Sequence, residues 1–98
     1  MIRIQMPYHL QNLAGSGPEI TLDVTPPHTV RSLIQALETR YPALRSAIID
    51  VHTGKRRPLI RFYACEEDIS HAGLDQPLPQ AVIDGSEPFM VVGAISGG

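Results

Sequence analysis

Cysteine is nearly absent from this 98-residue chain: Cys65 stands alone, so an internal disulfide is impossible. A single thiol agrees with a reducing compartment. No stretch approaches the roughly 20 apolar residues that a membrane span requires. The opening segment Met1-Ile2-Arg3-Ile4-Gln5-Met6 alternates instead of forming the apolar centre of a signal peptide. The protein is therefore expected in the cytoplasm, without a membrane partner. An excess of positive charge is missing as well. Net charge is −2 with the two signs interspersed, which argues against a nucleic-acid partner. The one basic run, Lys55-Arg56-Arg57 beside Pro58, reads as a solvated loop in preference to a phosphate site.

Machinery for catalysis is lacking too. His9, His28, His52 and His71 form no i, i+3 or i, i+4 pair and have no cysteine beside them, so no metal site is expected. Cys65, at a strand end with no histidine near in sequence, reads as a small half-buried hydrophobe and not as a nucleophile. Glu66-Glu67-Asp68 reads as a charged turn that stops a strand. Gly15-Ser16-Gly17 lies between two strands and opens no helix, so it offers a pyrophosphate no helix N-terminus. Internal repeats are absent, and no bound cofactor is expected.

What remains is a pattern of elements. With 43% hydrophobic and 18% charged residues the chain has material for one domain with one modest core. Ile2, Ile4 and Met6 alternate with Arg3 and Gln5, and Ile20, Leu22 and Val24 alternate with Glu19, Thr21 and Asp23, so two amphipathic strands flank the turn cluster 12–18. After Pro26-Pro27 the period changes. Val30, Leu33, Ile34 and Leu37, continued at Tyr41, fall on one helical stripe with Arg31, Ser32, Gln35, Glu38 and Thr39 opposite. Thr29 is placed to cap that helix, and Pro42 ends it. A short second turn of helix is expected within 43–49, and a loop over 50–58. Leu59 to Cys65 reads as a strand, 73–79 as a loop anchored by Leu74 and Leu78, and Ala81-Val82-Ile83 as a short strand before the turn signal Asp84-Gly85. Phe89-Met90-Val91-Val92, opened by Pro88, is the last strand, after which Ile95-Ser96-Gly97-Gly98 follows with two glycines that have nothing to bury. The expected fold class is α+β, with one main helix packed on a mixed sheet of four to five strands. Residues 1–92 form the domain and 93–98 a flexible tail.

The order of these elements, Leu13-Ala14-Gly15 after the first strand, the segment from Thr29 to Leu37 followed by Tyr41-Pro42-Ala43-Leu44, and Ile83-Asp84-Gly85-Ser86-Glu87 leading to Gly97-Gly98 together resemble the MoaD/ThiS family of ubiquitin-like sulfur carriers. The resemblance spans essentially the whole chain and implies the ubiquitin-like β-grasp. It differs from many members in having Gly93-Ala94 where they carry proline, which predicts a more flexible tail. It implies that the Gly98 carboxylate is the reacting group, that Gly97, Ser96 and Ile95 thread it into a partner, and that the chain is a carrier and not itself an enzyme. A ubiquitin-activating-type adenylating enzyme would use ATP to make the Gly98 acyl-adenylate. A sulfur donor would then displace AMP to leave a thiocarboxylate, and an acceptor synthase would take the sulfur for a molybdopterin or cysteine-type pathway. From Gly93 an extended backbone reaches about 20 Å at roughly 3.3–3.6 Å per residue, enough to enter a narrow channel.

Parity places the docking surface. If Phe89 and Val91 face the helix with Ile60 and Phe62, then Met90, Val92, Tyr63 and Arg61 share the outer face, where an apolar and aromatic patch marks a partner site. The competing reading has other elements cover that face. Two further readings of the whole chain stay open: a ubiquitin-like modifier conjugated to other proteins through Gly98, and a β-grasp interaction domain whose Gly-Gly is inert.

Overall fold

A computed structural model describes residues 1–93, and the readings placed on Ile95, Ser96, Gly97 and Gly98 lie outside the described residues. The helical stripe holds as expected. Helix α2 spans Val30–Arg40, and Val30, Leu33, Ile34 and Leu37 are all buried. The Thr29 hydroxyl accepts from the Ser32 N–H at 3.1 Å, satisfying one of the donors that a helix start leaves free. Two more are taken by the following chain: Val30 N–H donates to the Gln76 carbonyl and Arg31 N–H to the Leu74 carbonyl. That anchoring ties the loop 70–79 to the helix start, with Leu78 buried beneath it. At the other end Tyr41 caps the helix and Pro42–Leu44 makes a single 3-10 turn, which buries Leu44.

The helix lies on a five-stranded sheet built from β1 (Ile2–Gln5), β2 (Glu19–Leu22), β3 (Ile60–Ala64), β4 (Glu67–Asp68) and β5 (Phe89–Gly93), in the order β2-β1-β5-β3-β4. The central pair, β1 and β5, is parallel, and the other pairings are antiparallel. This mixed sheet wrapped on one main helix is the ubiquitin-like β-grasp expected. Its core follows the period-two pattern: Ile2 and Ile4 from β1, Ile60, Phe62 and Ala64 from β3, and Phe89 and Val91 from β5 are buried against α2. Phe62 and Phe89 pack with ring centroids 5.3 Å apart and planes tilted by 43°.

Four local expectations are corrected. The segment between the first two strands contains helix α1 (Tyr8–Ala14), not a loop alone; Leu10 is its one buried residue, and Gly15, at φ 69, stops it. The short strand expected at 81–83 is helix α3 (Gln80–Ile83), because Val82 alone of that run needs burial and Pro79 opens a turn. Finally, Glu66-Glu67-Asp68 is only partly a turn. Cys65 and Glu66, at φ 52 and 67, form a two-residue hairpin loop, and Glu67 and Asp68 pair back on β3 as an edge strand. Cys65 is accordingly exposed, not half-buried.

Truncating Ile34, which is 1% exposed at the centre of the core, to alanine should cost about 2–5 kcal/mol, measured as a lower midpoint in a urea melt.

Candidate functional site

Neighbours in register on adjacent strands project from the same side of a sheet. Arg61 pairs with Val92, Tyr63 with Met90, and Gln5 with Met90 in turn. The structure therefore brings Arg61, Tyr63, Met90 and Val92 together on the face away from α2, as parity predicted. Met90 and Val92 each keep 38% of their surface exposed, so no other element among the described residues closes over them. A shallow groove of about 240 Å³ runs beside them, walled on its other side by Gln5, Met6 and Pro7.

The rim of this face is polar and internally neutralised. On the β1–β2 side, Arg3 donates to Glu19 at 3.1 Å and Gln5 to the same carboxylate at 3.3 Å. Those two donors hold the Glu19 carboxyl below its ordinary range. On the β3–β4 side, Arg61 donates to Asp68 at 3.1 Å while the Ser70 N–H donates to the other carboxylate oxygen at 2.9 Å. The Ser70 hydroxyl and N–H, and then Arg61, bring the Asp68 carboxyl down to about 2. Sequence reading missed Arg3, Gln5, Glu19 and Asp68. The alternation of β1 and β2 already placed the first three on one face, whereas Asp68 could be found only once the hairpin at Cys65-Glu66 had been recognised.

One glycine here is fixed by packing. Gly93 closes β5, paired with Ile60, and a Cβ at that position would run into the His9 ring of α1. The expected tail boundary thus falls at a residue still paired in the sheet. His28 bonds to the Val24 carbonyl at 3.0 Å and His71 lies 3.4 Å from Arg61. No three His, Cys, Asp or Glu side chains gather in a manner that could hold a metal ion, and no helix is long and apolar enough to cross a membrane, among the described residues.

No protein-family model matches the chain, and no curated protein matches it in sequence. Solved structures do resemble it. SAMP1 from Haloferax volcanii superposes with a TM-score of 0.75 at 24% identity, covering 98% of this chain and 97% of that one. A chain of the Amycolatopsis orientalis BexX/CysO complex gives 0.76 at 18% identity over 100% of both chains. Urm1 from Trypanosoma brucei gives 0.69 at 22% identity, over 99% of this chain and 94% of its own. At such identities the likeness shows a shared fold along the whole length.

The lowered Asp68 carboxyl makes a pH prediction. Its native-state value lies near 2 against an ordinary 3.8, so the stabilisation it gives is fully present above the ordinary value and lost as pH falls through the lowered one. Thermal melts of the wild type and Asp68→Asn should differ most above about pH 4, and the gap should narrow towards about pH 2.

Proposed function

We propose that this chain is a sulfur carrier whose Gly98 carboxylate is activated by an adenylating enzyme and converted to a thiocarboxylate. The observation that carries this reading is the course of β5. The strand runs through the centre of the sheet, presents Met90 and Val92 on the outer face, and ends at Gly93, five residues before Gly98 in the sequence. A partner seated on the outer face would therefore have the chain end within reach, since five extended residues cover roughly 17 Å. Whole-length likeness to SAMP1, CysO and Urm1 supports the general kind of protein, and CysO forms a complex with BexX in one of those structures.

The chemistry asks little of the carrier itself. A Gly98 carboxylate oxygen would attack the α-phosphorus of ATP and expel pyrophosphate, which turns a poor electrophile into an acyl-adenylate. A sulfur nucleophile would then add to the acyl carbon, and AMP would leave as the carbon–sulfur bond forms. ATP and the catalytic groups belong to the partner, and this chain contributes a docking face and an end without Cβ atoms that admits close approach. An acceptor synthase in a molybdopterin or cysteine-type pathway would complete the cycle in the cytoplasm.

Docking should depend on the apolar centre of the face. Val92→Asp should reduce adenylation by the cognate enzyme at least about tenfold while costing stability only about 1 kcal/mol, the span of strand propensity at an exposed position. Pyrophosphate release and a thermal melt measure the two effects.

Deleting Gly98, or adding one residue after it, should abolish adenylation with the melt unchanged. With enzyme, ATP and sulfide, intact mass should show one oxygen-to-sulfur exchange located at the C-terminus by fragmentation. Recovery of the chain joined through Gly98 to lysines of other proteins, never as a thiocarboxylate, would establish the modifier instead. Formation of neither product would leave the inert interaction domain.

A further inference from the structure

The basic run does not behave as a fully solvated loop. Lys55 and Arg57 are exposed, but Arg56 turns inward and is half-buried. Its Nη1 donates to the carbonyls of Arg57 and Ile60, and its Nε is buried with no hydrogen-bond partner. Carbonyl dipoles orient a guanidinium but do not neutralise it, and a half-buried cation without a counter-charge retains part of the desolvation cost. Arg56 lines a cleft of about 420 Å³ with Lys55 and His71 at its rim, the half-buried Leu74 on its wall and the buried Phe62 behind it. Arg31 also borders it, already paired with Asp75 at 2.8 Å. The nearby carboxylates are spoken for: Asp68 holds Arg61, and Asp50 accepts from the His52 N–H. Among the described residues none lies within ion-pair distance of Lys55 or Arg56.

The shape of the site decides what anion suits it. A compact phosphate favours converging backbone N–H groups, yet the helix donors at hand, those of Val30 and Arg31, are already taken by the Gln76 and Leu74 carbonyls. What the cleft offers instead is cations spread around the apolar Leu74, which matches an extended acidic chain carrying an aliphatic side chain. It adjoins the outer sheet face at one point: His71 on its rim lies 3.4 Å from Arg61.

We propose that this cleft docks an acidic segment of the partner protein that seats on the outer face, with carboxylates on Lys55 and Arg56 and an aliphatic side chain against Leu74. The proposal rests on the docking reading above for the partner's identity, but its test needs no partner enzyme. The full ¹⁵N-labelled chain is titrated with the peptide Ac-Glu-Glu-Leu-Glu-Glu-NH₂. Amide shifts should appear at 54–56 and 70–74, with affinity falling about tenfold between low and physiological salt. Lys55→Glu, at an exposed side chain, should weaken binding about tenfold without altering the spectrum elsewhere, and replacing the peptide's leucine by alanine should weaken it further. Shifts at other positions, or full binding by Lys55→Glu, would overturn the proposal. So would equal shifts and competition from inorganic phosphate, which would mark a simple anion site. A gain in peptide affinity on removing residues 94–98 would also overturn it, by making the chain's own end the occupant. Peptide binding alongside intact adenylation by Val92→Asp would fail the face and keep the cleft. The reverse pair of results would fail the cleft alone.

Discussion

The alternation of β5 is the constraint on which the rest of the structure depends. It is bonded on both sides, parallel to β1 and antiparallel to β3, so its register sets which side chains of three strands face α2. Phe89 and Val91 are 0% and 3% exposed, and Met90 and Val92 are 38% exposed each. A slip of one residue would exchange the two sets and expose a phenylalanine from the core. The energetic difference between those registers amounts to burying or exposing whole aromatic and aliphatic side chains, at roughly 1.5–3 kcal/mol apiece. The core and the candidate docking face are thus one decision read from two sides.

That decision was legible because α2 and β1 have strong periods and the other two strands are distinct apolar runs. Four apolar residues at helical spacing place α2, with Thr29 and Pro42 marking its ends, alternation places β1, and the apolar runs 59–65 and 89–92 place β3 and β5. Short elements were not legible for an equally physical reason. Helix α1 buries a single residue, Leu10, and α3 a single residue, Val82, so neither repeats often enough to show a period. The hairpin at Cys65-Glu66 was hidden by its chemistry. Two-residue loops with positive φ favour Asn and Gly, and this one uses neither. Asp68 was lost with it, along with half of the polar rim.

Charge is distributed differently on the two surfaces considered for binding. Around Met90 and Val92 the cations Arg3 and Arg61 already hold Glu19 and Asp68, so a partner would meet an apolar centre ringed by satisfied groups. Such a rim excludes water without demanding counter-charges, and surface pairs of this kind add little stability of their own. Beyond the β4 edge the situation reverses. Lys55 and Arg56 meet no carboxylate among the described residues, so an anionic group there would gain an interaction the fold does not itself supply. An apolar surface sets how tightly a partner can sit; unneutralised charge beside it sets which partners can approach.

Gly93 has a role that the sequence did not show. The family resemblance, with Gly93-Ala94 where many members carry proline, predicted a loose tail starting at 93. In the folded chain Gly93 is instead a paired strand residue opposite Ile60, and it is small because the His9 ring of α1 occupies the space a Cβ would need. That contact joins α1, the element least visible in the sequence, to the end of the strand that organises the sheet. The root of the chain end is therefore held from two sides, by the β3 ladder and by His9. Freedom, where the chemistry proposed for Gly98 requires it, has to come from the residues beyond 93 and not from Gly93 itself.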